Sequence, residues 1–131
     1  MGDTRVAGER LAFDDGVWGD EVDRLTRGSR AHRCALEARR RIGYPEARVT
    51  LRACDPEASD GTHLSGCAKV YVPLDVEPSR APYGFVLALR ARISDGRLMA
   101  LLLAYGERHP TAGRSVYERA HKRLHGRYPD Q

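Results

Sequence analysis

The hydrophobic pattern is clearest on either side of the dipeptide Asp95-Gly96. Residues 83–93 alternate so that one face of a strand is apolar throughout, while the other face becomes basic at Arg90 and Arg92. This pattern predicts that one face packs on a core and the other faces water or a ligand. Residues 98–104 are apolar on both faces, which predicts an inner strand with both faces covered. Because Asp and Gly tolerate the positive φ of a type I′ turn, the two segments predict a β-hairpin.

Two helices are predicted ahead of this hairpin. Asp14 or Asp15 can cap a helix over about residues 16–27, where apolar side chains recur at helical spacing. Ser29 can cap a second helix, which carries a stripe of alanines on one side and arginines over much of the rest and ends before residue 43. The second helix therefore presents a basic surface.

Further strands and loops follow from the same alternation. Residues 10–13 can form a short edge strand, and residues 48–52 and 67–74 alternate as strands. The segment 53–66 between them is polar and contains Gly, Pro and acids, so it predicts a loop.

The C-terminal part of the chain has the most specific local signature. Ser115 and Glu118 have the spacing of a capping box, in which each side chain bonds the other residue's backbone N–H. An apolar stripe then runs to Leu124, and Gly126 is a natural stop. These residues predict a terminal helix.

The order of elements predicts an α+β fold: two N-terminal helices, an antiparallel sheet of about four strands and one C-terminal helix. A length of 131 residues is typical of a single domain, so we expect one domain over 1–131. Residues 1–8 and 127–131 are expected to be loose termini.

Charge and cysteine content narrow the class of protein. The net charge of +4 and the pI of about 9.2 permit binding to a polyanion without requiring it. Three cysteines without framework spacing suit a reducing compartment, and no segment is apolar enough for a signal or a membrane span. We therefore expect a cytoplasmic protein without membrane contact. No motif typical of nucleotide hydrolases, serine hydrolases or glycosidases is present.

Three features point to one family. A helical hairpin precedes the sheet, residues 64–71 read LSGCAKVY, and residues 104–110 read AYGERHP before the helix of residues 116–124. Together they resemble the RelE/ParE superfamily of bacterial toxin–antitoxin toxins. The long loop 53–66 and the N-terminal extension depart from the family pattern.

The resemblance implies a small endoribonuclease that cleaves mRNA, either free or in the ribosome, and a cognate antitoxin that covers its site. The ParE branch of the superfamily shares the fold but targets DNA gyrase, and the sequence pattern separates the two branches poorly.

Cleavage of RNA without a metal or cofactor needs a base for the 2′-hydroxyl proton, an acid for the leaving 5′-oxygen and cations for the phosphate. His109 is the first candidate for acid or base because imidazole titrates near neutral pH. Glu107 can orient His109 or act as base, and arginines suit phosphate. The predicted catalytic residues are His109, Arg92, Arg90, Arg108, Glu107 and Tyr117, and the predicted RNA-binding residues are Lys69, Tyr71, Arg40 and Lys122.

Each of these residues also has a purely structural interpretation. Charged strand ends are commonly solvated, and Tyr117 on the first turn of a helix is typical of a core residue. A different class of function, a binding protein of this fold without chemistry, stays open; it would be a gyrase-type inhibitor or an immunity-like partner. A zinc site at Cys54, His63 and Cys67 is a weaker alternative because their spacing fits no standard pattern. His121 and His125, four residues apart, are expected to be exposed rather than metal-bound.

Overall fold

The computed structural model describes residues 3–6, 12–14, 17–42, 49–91 and 98–129. These ranges contain strands β1 (Asp3–Val6), β2 (Ala12–Asp14), β3 (Val49–Ala53), β4 (Cys67–Val72), β5 (Tyr83–Ala91) and β6 (Leu98–Glu107), and helices α1 (Arg30–Ile42) and α2 (Val116–His125). A short π-helical turn (Gly19–Asp23) precedes α1, and a single 3-10 turn (Pro78–Arg80) precedes β5.

The strands form one six-stranded sheet in the order β1-β3-β4-β5-β6-β2. Strands β3 to β6 are antiparallel neighbours, whereas β2 lies parallel to β6 with Ala12 opposite Met99. The predicted α+β class with an antiparallel sheet is therefore confirmed. Strand β2 overlaps the short edge strand predicted over residues 10–13, whereas the edge strand β1 was missed. The helices differ in number and arrangement from the prediction.

One face of the sheet packs on α1 and the π-helical turn. Alternate residues of β5 and β6, among them Phe85, Leu102 and Tyr105, join Trp18 and Ala35 in one buried cluster. The hydroxyl of Tyr105 also donates to the carbonyl of Ala31 at 2.7 Å, which fixes the start of α1 to the sheet.

The opposite face of the sheet packs on α2. Val116 and Ala120 of the helix join Val86, Leu103 and Ala104 in a second buried cluster. A β-bulge makes this possible, since Leu103 is the extra residue between the pairs Val86–Ala104 and Leu87–Leu102. The prediction that β6 is covered on both faces is confirmed. The prediction of one open face on β5 is wrong, because the apolar stripe of α2 covers Val86 and Ala88.

The predicted helix over residues 16–27 is also wrong. Only Gly19–Asp23 form a helical turn, and the N–H of Leu25 bonds the carbonyl of Val22 as the turn ends. The turn holds Glu21 inward, where its carboxylate makes contacts far along the chain. Apolar spacing alone does not contain these long-range contacts, so it predicted a longer helix than the structure has.

Parts of both terminal stretches are described in the structure. Asp3–Val6 form β1, which pairs antiparallel with β3, and the ring of Tyr128 lies 4.2 Å from the guanidinium carbon of Arg114. The predicted strand over 67–74 ends at Val72, just before Pro73, which lacks a backbone N–H for the ladder. The predicted turn at Asp95-Gly96 and the predicted site residue Arg92 lie outside the described residues.

The C-terminal helix begins and ends as predicted. The hydroxyl of Ser115 accepts from the N–H of Glu118 at 3.2 Å, and the Glu118 carboxylate accepts from the N–H of Ser115 at 3.1 Å. Gly126 ends the helix with φ of 81°, in the left-handed region that favours glycine. Within the described ranges, no helix is long and apolar enough to cross a membrane.

Beyond β2, side chains bond the outer edge of β6. Strand β2 pairs only with residues 99–101. Past that point the buried carboxylate of Glu21 accepts a hydrogen bond from the N–H of Tyr105 at 3.0 Å. Arg119 donates to the carbonyl of Tyr105 at 3.1 Å, and Arg123 donates to the carbonyl of Leu103 at 2.5 Å. The same carboxylate pairs with both guanidinium groups. The group of Glu21, Arg119 and Arg123, called here the edge clamp, joins the π-helical turn on one face to α2 on the other.

Candidate functional site

A cavity of about 370 Å³ opens beside the N-terminal end of α2. The loop of residues 54–66 forms one wall, and the other wall comes from β4, the end of β6 and the first turn of α2. Four sequence-predicted residues line the cavity: Lys69, Arg108, His109 and Tyr117. Segments far apart in the chain therefore bring a candidate acid–base group, a phenol and two cations to one place.

Arg108 is held in a fixed orientation. Its Nε donates to the hydroxyl of Tyr117 at 3.0 Å, and its Nη1 donates to the carbonyls of Pro78 and Ala81, both at 2.8 Å. Its guanidinium carbon lies 3.8 Å from the ring centroid of Tyr71. Among the described residues no group bonds Nη2, so this nitrogen is the part of Arg108 that can contact a ligand.

Two more cations surround the same rings. Arg52 on β3 lies opposite Lys69 on β4, and the Arg52 guanidinium carbon is 5.1 Å from the Tyr71 centroid. The Lys69 ammonium is 5.6 Å from the Tyr71 centroid and 5.4 Å from that of Tyr117. We call Arg52, Lys69, Tyr71, Arg108 and Tyr117 the basic–aromatic cluster. Such pairs are worth roughly 0.5–1 kcal/mol each when exposed, so they orient side chains more than they stabilise the fold.

Sequence reasoning missed Arg52. Alternation with Leu51 placed its side chain opposite the core-facing set, but nothing in the local sequence gives the register between β3 and β4. That register, which pairs Arg52 with Lys69, depends on residues separated by the whole 54–66 loop.

The phenol of Tyr117 remains protonated at neutral pH. Burial raises its pKa, and the hydrogen bond and charge of Arg108, followed by the charge of Lys69, only partly offset that effect. Tyr117 can therefore donate its proton to a ligand oxygen while its own oxygen accepts from Arg108. A base that removes a proton at neutral pH must be another residue.

His109 contributes an imidazole ring to the cavity. It is exposed and follows β6 directly, and within the described part of the chain its imidazole makes no hydrogen bond. Its two nitrogens are therefore accessible to a ligand in the cavity.

Three carboxylates also line the cavity, and each accepts hydrogen bonds inside the fold. Glu118 accepts from the N–H of Ser115 and from the guanidinium of Arg114. Asp60 accepts from the N–H and the hydroxyl of Thr62, and Asp55 accepts from a backbone N–H of the loop. These bonds use the carboxylates mainly to shape the cavity wall.

Two predicted catalytic residues lie outside the cavity. Strand alternation places Glu107, opposite Tyr83, on the other face of the sheet from Arg108. Arg90 is six residues along β5 from Gly84, where the stem of Arg108 packs, so it lies about 20 Å away along the strand. Neither residue lines the cavity with His109.

The predicted RNA-binding residues on the helices are also separate from the cavity. Arg40 lies on α1, across the sheet, and pairs with Glu37 at 2.6 Å. Lys122 is exposed on α2, with its ammonium 5.4 Å from the Tyr128 centroid. Lys69 and Tyr71, by contrast, belong to the basic–aromatic cluster.

Neither predicted alternative involving a metal gains support. The described residues include no group of three or more His, Cys, Asp or Glu side chains arranged to hold a metal ion. Cys54 and Cys67 are buried against each other across β3 and β4 instead. The expectation that His121 is exposed is wrong, because it is buried between α2 and the 54–66 loop.

No protein-family model, no curated protein and no solved structure matches this chain.

Proposed function

We propose that the chain is a metal-independent endoribonuclease of the RelE-like kind, acting at the cavity beside α2. The observation that carries the proposal is that His109, Tyr117, Lys69 and Arg108 line one cavity. Those four residues provide the base, the acid and the cations that metal-free RNA cleavage requires.

In the proposed reaction the neutral imidazole of His109 removes the proton of the 2′-hydroxyl. The 2′-oxygen attacks the adjacent phosphorus, and the bond from phosphorus to the 5′-oxygen breaks. Tyr117 gives its proton to that 5′-oxygen, and the Nε of Arg108, 3.0 Å from the phenol oxygen, stabilises the phenolate that results. The products are a 2′,3′-cyclic phosphate and a 5′-hydroxyl end, and solvent returns the proton from His109 to Tyr117.

Lys69 and the free Nη2 of Arg108 neutralise the charge that develops on the phosphate. Lys69 suits this role because no described carboxylate forms an ion pair with it, whereas Arg40 and Arg41 on α1 are paired with Glu37 and Asp75. Arg52, beyond Tyr71, extends the cationic surface toward a neighbouring phosphate of the same strand. The resemblance further predicts a cognate antitoxin that covers the cavity.

The test uses end-labelled mRNA and the purified protein in two settings: free mRNA in excess chelator, and mRNA bound to ribosomes in the magnesium buffer that keeps ribosomes assembled. We expect cleavage to 2′,3′-cyclic phosphate ends, and a rate lower by about 100-fold or more in His109→Ala, Lys69→Ala and Tyr117→Phe. Arg27→Ala is the matched control, because Arg27 is exposed in the turn before α1. This substitution removes one positive charge, as Lys69→Ala does, but far from the cavity. Cleavage by His109→Ala at the wild-type rate would overturn the proposal, as would intact RNA in both settings.

One observation favours a second candidate, a non-catalytic binding protein of the same fold. Arg108 uses three of its five N–H groups inside the protein, and the cavity contains carboxylates, so the cluster can serve chiefly to hold the fold together. A gyrase-type inhibitor would keep its effect in His109→Ala. It would lose that effect when the exposed basic helix surfaces are reversed, as in Arg40→Glu with Lys122→Glu.

A further inference from the structure

The loop of residues 54–66, which supplies half of the residues lining the cavity, is fastened to α2 at His63. The N–H of His63 donates to Nδ1 of His121 at 2.9 Å, and Nε2 of His125 donates to the carbonyl of His63 at 2.7 Å. The neighbours of His63 on either side, Thr62 and Leu64, are buried and line the cavity. The two bonds at His63 therefore hold the cavity wall in place.

The bond to His121 requires a neutral imidazole. A backbone N–H can only donate, so Nδ1 of His121 must carry a lone pair. A protonated imidazole has hydrogen on both nitrogens and cannot accept. Protonation of His121 would thus break the bond and set two N–H groups against each other.

The surroundings of His121 add to this constraint. The side chain is only 4% exposed, and the charged or titratable groups that face it are His63 on the loop, His125 on its own helix and Arg127 just beyond. The ring centroids of His63 and His125 lie 5.6 and 4.5 Å from that of His121. Burial lowers the pKa of His121, and the charges of His125, His63 and Arg127 lower it further.

We infer that His121 is an acid-sensitive fastening: when its ring is protonated, residues 54–64 separate from α2 and the loop wall of the cavity opens. The inference goes beyond the proposed function, because access to the cavity changes whatever chemistry occurs inside it. An acceptor that does not titrate would hold the loop equally at every pH.

Hydrogen–deuterium exchange of the whole protein, read by mass spectrometry, tests this. Between about pH 7.5 and about pH 5, where histidine charges, we expect exchange in peptides covering 55–64 to rise about threefold or more relative to β5, after correction for the intrinsic rate. In His121→Asn the amide oxygen keeps an acceptor near the Nδ1 position and does not titrate, so this pH dependence should disappear.

The matched control is His32→Asn. Nδ1 of His32 also accepts a backbone N–H, from Gly28 at 3.4 Å, but at the exposed start of α1. This variant should respond to pH as the wild type does. Equal loop exchange at both pH values in the wild type, or an unchanged pH response in His121→Asn, would overturn the inference. Should His121→Asn fail to fold, an NMR pH titration of the wild type provides the test. The inference requires the chemical shift of the His63 amide to change with the same midpoint as the ring signals of His121.

Discussion

The guanidinium of Arg119 occupies the space that a side chain at Gly106 would need. A Cβ atom placed on Gly106 would lie 2.7 Å from Nη1 of Arg119, closer than non-bonded atoms approach. The guanidinium cannot retreat freely, since its Nη2 bonds Glu21 and the carbonyl of Tyr105. Gly106 is thus glycine because the edge clamp lies directly on the backbone of β6.

We predict that Gly106→Ala will displace Arg119 from Glu21 and lower the free energy of unfolding by about 1–3 kcal/mol. Gly19→Ala is the control, as a Cβ there meets nothing within 4 Å, and its effect should stay within about 0.5 kcal/mol. Urea denaturation followed by circular dichroism measures both. Equal stability of the two variants would show that Arg119 moves aside without loss.

Glu21→Gln should destabilise the protein by about 2–4 kcal/mol. The carboxylate is buried, while Arg119 and Arg123 keep part of their surface in water, so the loss is expected below that of a fully buried pair. The same urea titration gives the value. In the double variant Glu21→Gln with Arg119→Met, we expect part of the loss to be recovered, because the unpaired cation is gone. Simple additivity of the two single changes would contradict the edge clamp.

Arg108→Lys should cost about 1–3 kcal/mol of stability even though the charge is kept. A lysine cannot reach Tyr117 and the carbonyls of Pro78 and Ala81 at the same time, nor lie flat on Tyr71. Lys69→Ala should cost less than about 1 kcal/mol, because its described partners are aromatic rings only. Thermal or urea unfolding would separate the two. A larger loss from Lys69→Ala would identify Lys69 as a structural residue.

The cysteines should differ in reactivity toward iodoacetamide. Burial, with a smaller effect from Cys67, raises the pKa of the Cys54 thiol to about 12, and burial also raises the pKa of Cys67. Both thiols therefore stay protonated at neutral pH and are shielded, whereas Cys34 is half-buried on α1. Mass spectrometry should find Cys34 modified first in the folded protein and all three residues modified in urea. Modification of Cys54 as fast as Cys34 would contradict the buried arrangement.

Global stability should fall on acidification. Because the pKa of His121 is lowered in the folded protein, the unfolded chain takes up a proton first as the pH drops below the usual histidine value of about 6.5. The free energy of unfolding therefore declines from that pH down to the folded-state pKa. The decline should be shallower in His121→Asn, measured by urea titrations across this range. A parallel decline in both proteins would assign the acid sensitivity to other groups.

Local signals in the sequence were sufficient for some elements and not for others. Ser115 and Glu118 define the start of α2 within one turn, and alternation separates the two faces of β5. Glu21 illustrates the opposite case, because its principal partner Arg119 is 98 residues away and no short window contains both. The apolar spacing around it predicts a helix to residue 27, whereas the helical turn ends at Asp23.

The candidate site also contains some residues that local sequence identifies and others that depend on long-range pairing. Residues near the end of β6, Arg108 and His109, could be selected because they follow a strand and precede a helix. Arg90 fitted the same chemistry, but the length of β5 separates it from them. Arg52 was missed because its place beside Tyr71 depends on the register of β3 with β4.

The edge clamp also governs how the sheet can meet other molecules. A strand from another polypeptide that tried to extend the sheet beside Leu103 and Tyr105 would find the carbonyls of both residues and the N–H of Tyr105 already bonded to side chains. Strand addition is thereby blocked at this stretch of β6, and the outermost strands of the described sheet are β1 and β2. One buried carboxylate and the two arginines that pair with it thus shield the exposed end of an inner strand from unwanted strand addition.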